Sequence, residues 1–135
     1  MSKYIRKVNY YETDIMGITH HSNYIRFMEE ARMNFMEEIG YPMKRLESEG
    51  ITSPVVSVNC EYKQPTTYSD EIEIDVRVKK YTGVRLTVAY EMRNKEDGAL
   101  VLEATSVHCF LDENGKPVAL KKTSPELDAK LRAKK

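Results

Sequence analysis

The sequence is poor in cysteine: only Cys60 and Cys109, far apart and in no Cys-x-x-Cys spacing. That excludes a disulfide-stapled secreted scaffold and leaves two reduced, buried thiols in a cytoplasmic protein as the expectation. Surplus charge is missing too, since 21 basic and 21 acidic side chains cancel. The basic footprint that phosphate contacts demand is absent, so no nucleic-acid partner is expected. No apolar run approaches the roughly 18 residues of a membrane-spanning helix, so no membrane is expected either. Met1 to Val8 is basic without an apolar stretch behind it, and a secretory signal is not expected. The Gly-x-Ser-x-Gly elbow of serine hydrolases does not occur. His20 and His21 are adjacent, with no Cys or third His nearby, so neither a metal site nor any other cofactor is expected. Without repeats, linkers or low-complexity tracts, residues 1-135 read as one domain.

What is present is a chain of 135 residues, 41% hydrophobic, enough to bury a sizeable core. Tyr24, Phe27, Met28, Ala31, Phe35 and Ile39 recur at helical spacing and predict a long amphipathic helix over about residues 22–39. Ser22 or Asn23 caps its start, and Gly40 with Pro42 ends it. Met33 and Met36 lie off the main stripe, which implies cover on a second side. A shorter helix is predicted between Pro42 and Gly50. From Val55 the period changes to two. Val56, Val58, Cys60 and Tyr62 form one apolar face, as do Ile72 to Val78 and Val84 to Met92 on alternate residues. Ala99 to Leu111 is apolar on both faces, as in a central strand, with His108 as a packed strand residue. Lys3 to Tyr11 supplies a further strand. A sheet with one apolar face must cover it, and the helix beginning near Ser22 is the one large element available. The predicted class is α+β, a curved antiparallel sheet wrapped around one long central helix.

Polar residues cluster between the first strand and that helix, from Tyr10 through Asp14, Gly17, His20 and His21 to Tyr24. Free backbone N–H groups at a helix N-terminus polarise a carbonyl or hold an anion. A carboxylate about seven residues upstream folds back toward the same point, an arrangement suited to attack on an ester or thioester. Asp14 reads equally as the former of an Asx-turn, and Gly17 as a turn residue with positive φ.

Thr13-Asp14-Ile15-Met16-Gly17, then His21-Ser22-Asn23-Tyr24, then Glu29-Glu30-Ala31-Arg32 stand in ungapped register. This pattern resembles the hydroxybenzoyl-CoA thioesterase type of hotdog proteins. Tyr62-Lys63-Gln64-Pro65, Gly83 and the stretch from Asp112 to Pro117 resemble it more loosely. The resemblance implies a hotdog fold and an acyl-CoA substrate. It assigns Asp14 to the thioester carbonyl or its water, with the His21 backbone N–H polarising that carbonyl. Gly17 belongs to the same motif, and Tyr24, Asn23 and Lys63 become candidate substrate-binding residues. Lys63, Lys79, Lys80, Arg85, Lys121 and Lys122 are candidates for the CoA phosphates. His20 departs from the aromatic residue common there. The resemblance also implies a homodimer or homotetramer, with Ala99 to Leu111 offered as the strand at the junction. Other readings on the same fold are an acyl carrier protein thioesterase, an enoyl-thioester hydratase and a non-catalytic acyl-CoA-binding module. For the hydratase, the Asp14 to His20 spacing is one too long and Asn-Pro is missing.

Overall fold

The segments of period two become strands of a five-stranded antiparallel sheet in a computed structural model that describes residues 2–135. The strands are β1 (Ser2–Lys7), β2 (Val55–Tyr62), β3 (Glu71–Tyr81), β4 (Arg85–Asn94) and β5 (Leu100–Cys109), laid in the order β1-β3-β4-β5-β2. Helix α1 (Ser22–Glu38) carries the predicted stripe, and α2 (Met43–Ser48) fills the Pro42 to Gly50 segment. Tyr24, Phe27, Met28, Ala31 and Phe35 are buried against Ile72, Ile74, Val76, Val88 and Met92. Gly40 ends α1 at φ +79°, and the Tyr41 amide returns to the Met36 carbonyl at 2.9 Å, a left-handed helix stop. Met36 is buried, whereas Met33 is exposed.

Four expectations need correction. The first strand stops at Lys7, and Tyr10–Glu12 form a 3-10 turn, not its continuation. The apolar face expected of β2 is open: Val56, Val58 and Tyr62 are exposed and Cys60 is half-buried. Helix α1 packs mainly over β1 and β3 and reaches β2, at the opposite edge, through Met28 on Cys60 (sulfur to sulfur 3.8 Å) and Tyr24 beside Tyr62 (ring centroids 5.7 Å apart), which leaves the rest of that face open. Cys60 and Cys109 are free thiols, half-buried instead of buried. Strand β5 is interior, between β4 and β2, so it is not an edge; the edge strands of the sheet are β1 and β2.

Two C-terminal helices, α3 (Leu120–Thr123) and α4 (Pro125–Lys134), were not anticipated. Their signal was present: Pro125 at the first helical turn after Ser124, then Leu127 and Leu131 one turn apart, both fully buried. Tyr81 on β3 donates to Asp128 at 2.6 Å, and Arg132 reaches the other carboxylate oxygen at 3.0 Å, tying α4 to the sheet.

His108 occupies a packed strand position, 1% exposed. Arg32 donates to the Tyr90 hydroxyl at 3.5 Å, and Ser106 bonds Tyr90 and His108 Nε2 at 2.7 Å each. The Tyr90 oxygen has room to accept from both Arg32 and Ser106, so these contacts are compatible with either tautomer of the ring; His108 Nδ1 has no partner among the described residues.

Candidate active site

The segment from Glu12 to His20 is closed on itself. Thr13 bridges Thr19, the Asp14 amide donates to the Ile18 carbonyl at 2.9 Å, and the Gly17 amide donates to the Asp14 carbonyl at 2.9 Å. Gly17 takes φ +78°, which a side chain would resist, and its carbonyl accepts the Thr67 hydroxyl at 2.7 Å. The Met16 amide donates to Asp14 Oδ1 at 2.9 Å. Asp14 therefore makes the Asx-turn, yet only one carboxylate oxygen is spent on it. Among the described residues, Oδ2 receives no protein donor. Ile15 and Met16 project into solvent at the tip.

The second wall comes from the chain after β2. The Thr19 amide donates to the Thr66 carbonyl at 2.8 Å, and the Thr66 hydroxyl meets those of Thr19 and Tyr24 at 2.7 and 2.8 Å. Burial pushes the Tyr24 phenol up, so it stays neutral in this cluster. The Tyr62 ring stands edge-on to His21 at 6.3 Å between centroids. Between these walls lies a cavity of about 360 Å³ bounded by Asp14, Thr19, His21, Tyr24, Tyr62 and Lys63 among others.

The start of α1 differs from expectation. Neither Ser22 nor Asn23 caps it; His21 holds the cap position, already helical at φ −56°, ψ −30°. The Ser22 amide turns to His20 Nδ1 at 3.3 Å, and the Asn23 side chain donates to the Glu12 carbonyl at 2.9 Å. Because an amide can only donate, His20 Nδ1 is the acceptor and the imidazole does the capping. The Asn23 and Tyr24 amides bond the His20 and His21 carbonyls at 3.0 and 3.2 Å. Among the described residues, the His21 N–H finds no protein acceptor. That leaves one amide at the positive end of a 17-residue helix unsatisfied, on a residue lining the cavity that Asp14 also lines.

Of the residues expected at the site, the cavity brings together Asp14, His21, Tyr24 and Lys63. Gly17 and Asn23 do not line it; they hold its walls by the contacts given above. Lys79, Lys80, Arg85, Lys121 and Lys122 lie away from it. Tyr62, Thr19 and Thr66 were not picked out, because their part depends on the chain after β2 folding against the loop. His20 and His21 stack face to face at 4.4 Å, and no cluster of three or more metal-ligating side chains occurs among the described residues.

The profile of the thioesterase-like superfamily matches residues 8–133. A protein of Aquifex aeolicus, provisionally named an esterase, is 39% identical over 119 residues, covering 88% of this chain and 91% of its own. The provisionally named acyl-CoA thioesterase YneP of Bacillus subtilis is 35% identical over 127 residues, 93% of this chain and 91% of its own. Among solved structures, a DHNA-CoA thioesterase of Staphylococcus aureus superposes with a TM-score of 0.94 at 29% identity, covering 98% of this chain and 89% of that one.

Proposed function

The chain belongs to the thioesterase-like superfamily and has its hotdog fold, and on that footing we propose that it is an acyl-CoA thioesterase driven by Asp14. The substrate carbonyl oxygen accepts the His21 N–H, which the helix dipole strengthens as negative charge develops there. Asp14 either removes a proton from water attacking the carbonyl carbon or attacks that carbon itself to form a mixed anhydride. In both routes the carbon–sulfur bond breaks and CoA leaves as the thiolate and is protonated. By the first route water's oxygen enters the released acid; by the second water opens the anhydride at the Asp14 carbonyl, so the acid departs with an Asp14 oxygen and water's oxygen stays in Asp14. Tyr24 and Tyr62 line the acyl side, Lys63 faces the phosphates, and Gly17 and Asn23 keep the walls in place. The observation that carries this reading is one cavity holding both an uncommitted Asp14 oxygen and the residue with the free amide, His21.

The enzyme works in the cytoplasm, where free thiols persist, as a homodimer or a pair of dimers. The exposed edge of β2, with Val55, Val56, Val58 and Tyr62 uncovered, supports pairing with the same strand of a second copy.

The test is release of free thiol, read with a disulfide reagent, from aliphatic, aromatic and DHNA-type acyl-CoAs and from acyl carrier protein thioesters. Thiol release from at least one CoA thioester is expected. Release from carrier thioesters alone would move the substrate to the carrier, hydration of an enoyl thioester without thiol release would change the reaction, and binding without either would leave a non-catalytic module. Single turnover in labelled water then separates the two routes: label in Asp14 marks the anhydride.

A further inference from the structure

Two residues before Asp14 stands a charged side chain that the chemistry does not use. Glu12 is 5% exposed. Its carboxylate accepts two bonds from Arg6, Nη1 to Oε1 at 2.6 Å and Nη2 to Oε2 at 2.8 Å, and a third from the Asn9 amide at 2.8 Å. Burial alone would raise the Glu12 carboxyl, but Arg6 and the Asn9 amide more than reverse it and hold it below the usual carboxylate range. Arg6 is fixed in turn from α1. Its Nε donates to Glu30 at 3.0 Å, and its guanidinium lies 4.5 Å from the centroid of Phe27.

The backbone of the same residue faces the site. The Glu12 carbonyl accepts the His20 amide at 2.8 Å and the Asn23 side chain at 2.9 Å. Those two donors flank His21 on either side. Glu12 is therefore held by its carboxylate to β1 and α1 and grips, by its carbonyl, the turn that aims the free amide. Asp14 follows two residues later on the same short segment.

We propose that Arg6 is a positioning residue for the reaction: through Glu12 it sets the His21 amide against Asp14, resting on the roles given to those two residues above. Lysine is a poor substitute, because the contact is a two-pronged fork that a single ammonium cannot match. A displacement of the order of 1 Å at a reacting group costs about 100-fold in rate, so the effect falls on kcat more than on KM.

In the full chain, Arg6→Met is expected to lower kcat about 30-fold or more with KM within about threefold, and Arg6→Lys to recover part of that loss. Asp128→Asn, which loosens α4 far from the site, serves as the stability control and is expected to keep kcat within about twofold. Amide exchange by NMR reads the position directly: the His20 amide loses protection about 10-fold or more in Arg6→Met and keeps it in Asp128→Asn. If Arg6→Met does not fold, Arg6→Lys and Glu12→Gln carry the same comparison, each expected to lower kcat about tenfold. The proposal is overturned if His20 protection survives loss of Arg6, or if Asp128→Asn lowers kcat as much. A wild-type chain that releases no thiol would sink the thioesterase reading alone, since the exchange measurement does not depend on turnover.

Discussion

Replacing His108 with phenylalanine removes a buried base whose titration should dominate one part of the pH dependence of stability. Burial, and then the Arg32 charge, lower this imidazole from an ordinary value near 6.5 to about 4. The unfolded chain therefore binds a proton that the folded chain refuses between those two values. Stability from the neutral ring is complete above about 6.5 and drains as pH falls toward about 4. At about 1.4 kcal/mol per pH unit, the whole span is worth about 3 kcal/mol, and the part lost between pH 7 and pH 5 about 2 kcal/mol. Ring exposure of 1% leaves little solvent to screen the effect. The assay is urea unfolding at pH 7 and pH 5, at one protein concentration so that association does not intrude. His108→Phe should lose about 2 kcal/mol less than wild type on going to pH 5. Carboxylates titrate alike in both chains and cancel, and whatever the substitution costs at pH 7 drops out of the difference. Equal losses in the two chains would refute the buried neutral imidazole.

Leu127→Ala empties a fully buried position beneath α4 and should destabilise the chain by about 2–5 kcal/mol in urea, while a loss under about 1 kcal/mol would mean that α4 does not hold the sheet. Val58→Lys places a charge on the open inner face of β2 and should shift the chain from dimer to monomer in sedimentation at micromolar concentration without unfolding it. An unchanged mass would move the interface elsewhere.

Periodicity carried the reading where a single stripe decides an element, and failed where position in the sheet decides. The α1 stripe and the faces of β3 and β4 were legible because each buries one side against the helix. Strand β2 alternates in the same way, but alternation reports an apolar face and not whether anything covers it. Helix α4 went unread although Pro125, Leu127 and Leu131 marked it, because a short apolar stripe among lysines looks like a solvated tail. At the site, Asp14 could be placed near the helix start but not chosen as turn former or reagent; it does form the turn, through one oxygen, and the other stays without a protein donor among the described residues. The cap was misassigned because His20 is brought onto the Ser22 amide by a bond to Glu12, a long-range closure that local propensity does not contain. Arg6 and Glu12 were invisible for the same reason: their meeting requires β1 to lie beside the loop it leads into.

Steady-state thiol release by Asp14→Asn beside wild type, on whichever acyl-CoA the wild type cleaves fastest, bears on the chemistry most directly. Asparagine keeps the oxygen that accepts the Met16 amide, so the loop should stay closed while the base or nucleophile is lost. A fall in kcat of about 100-fold or more in a folded protein is expected. Near-normal turnover would remove Asp14 from the reaction.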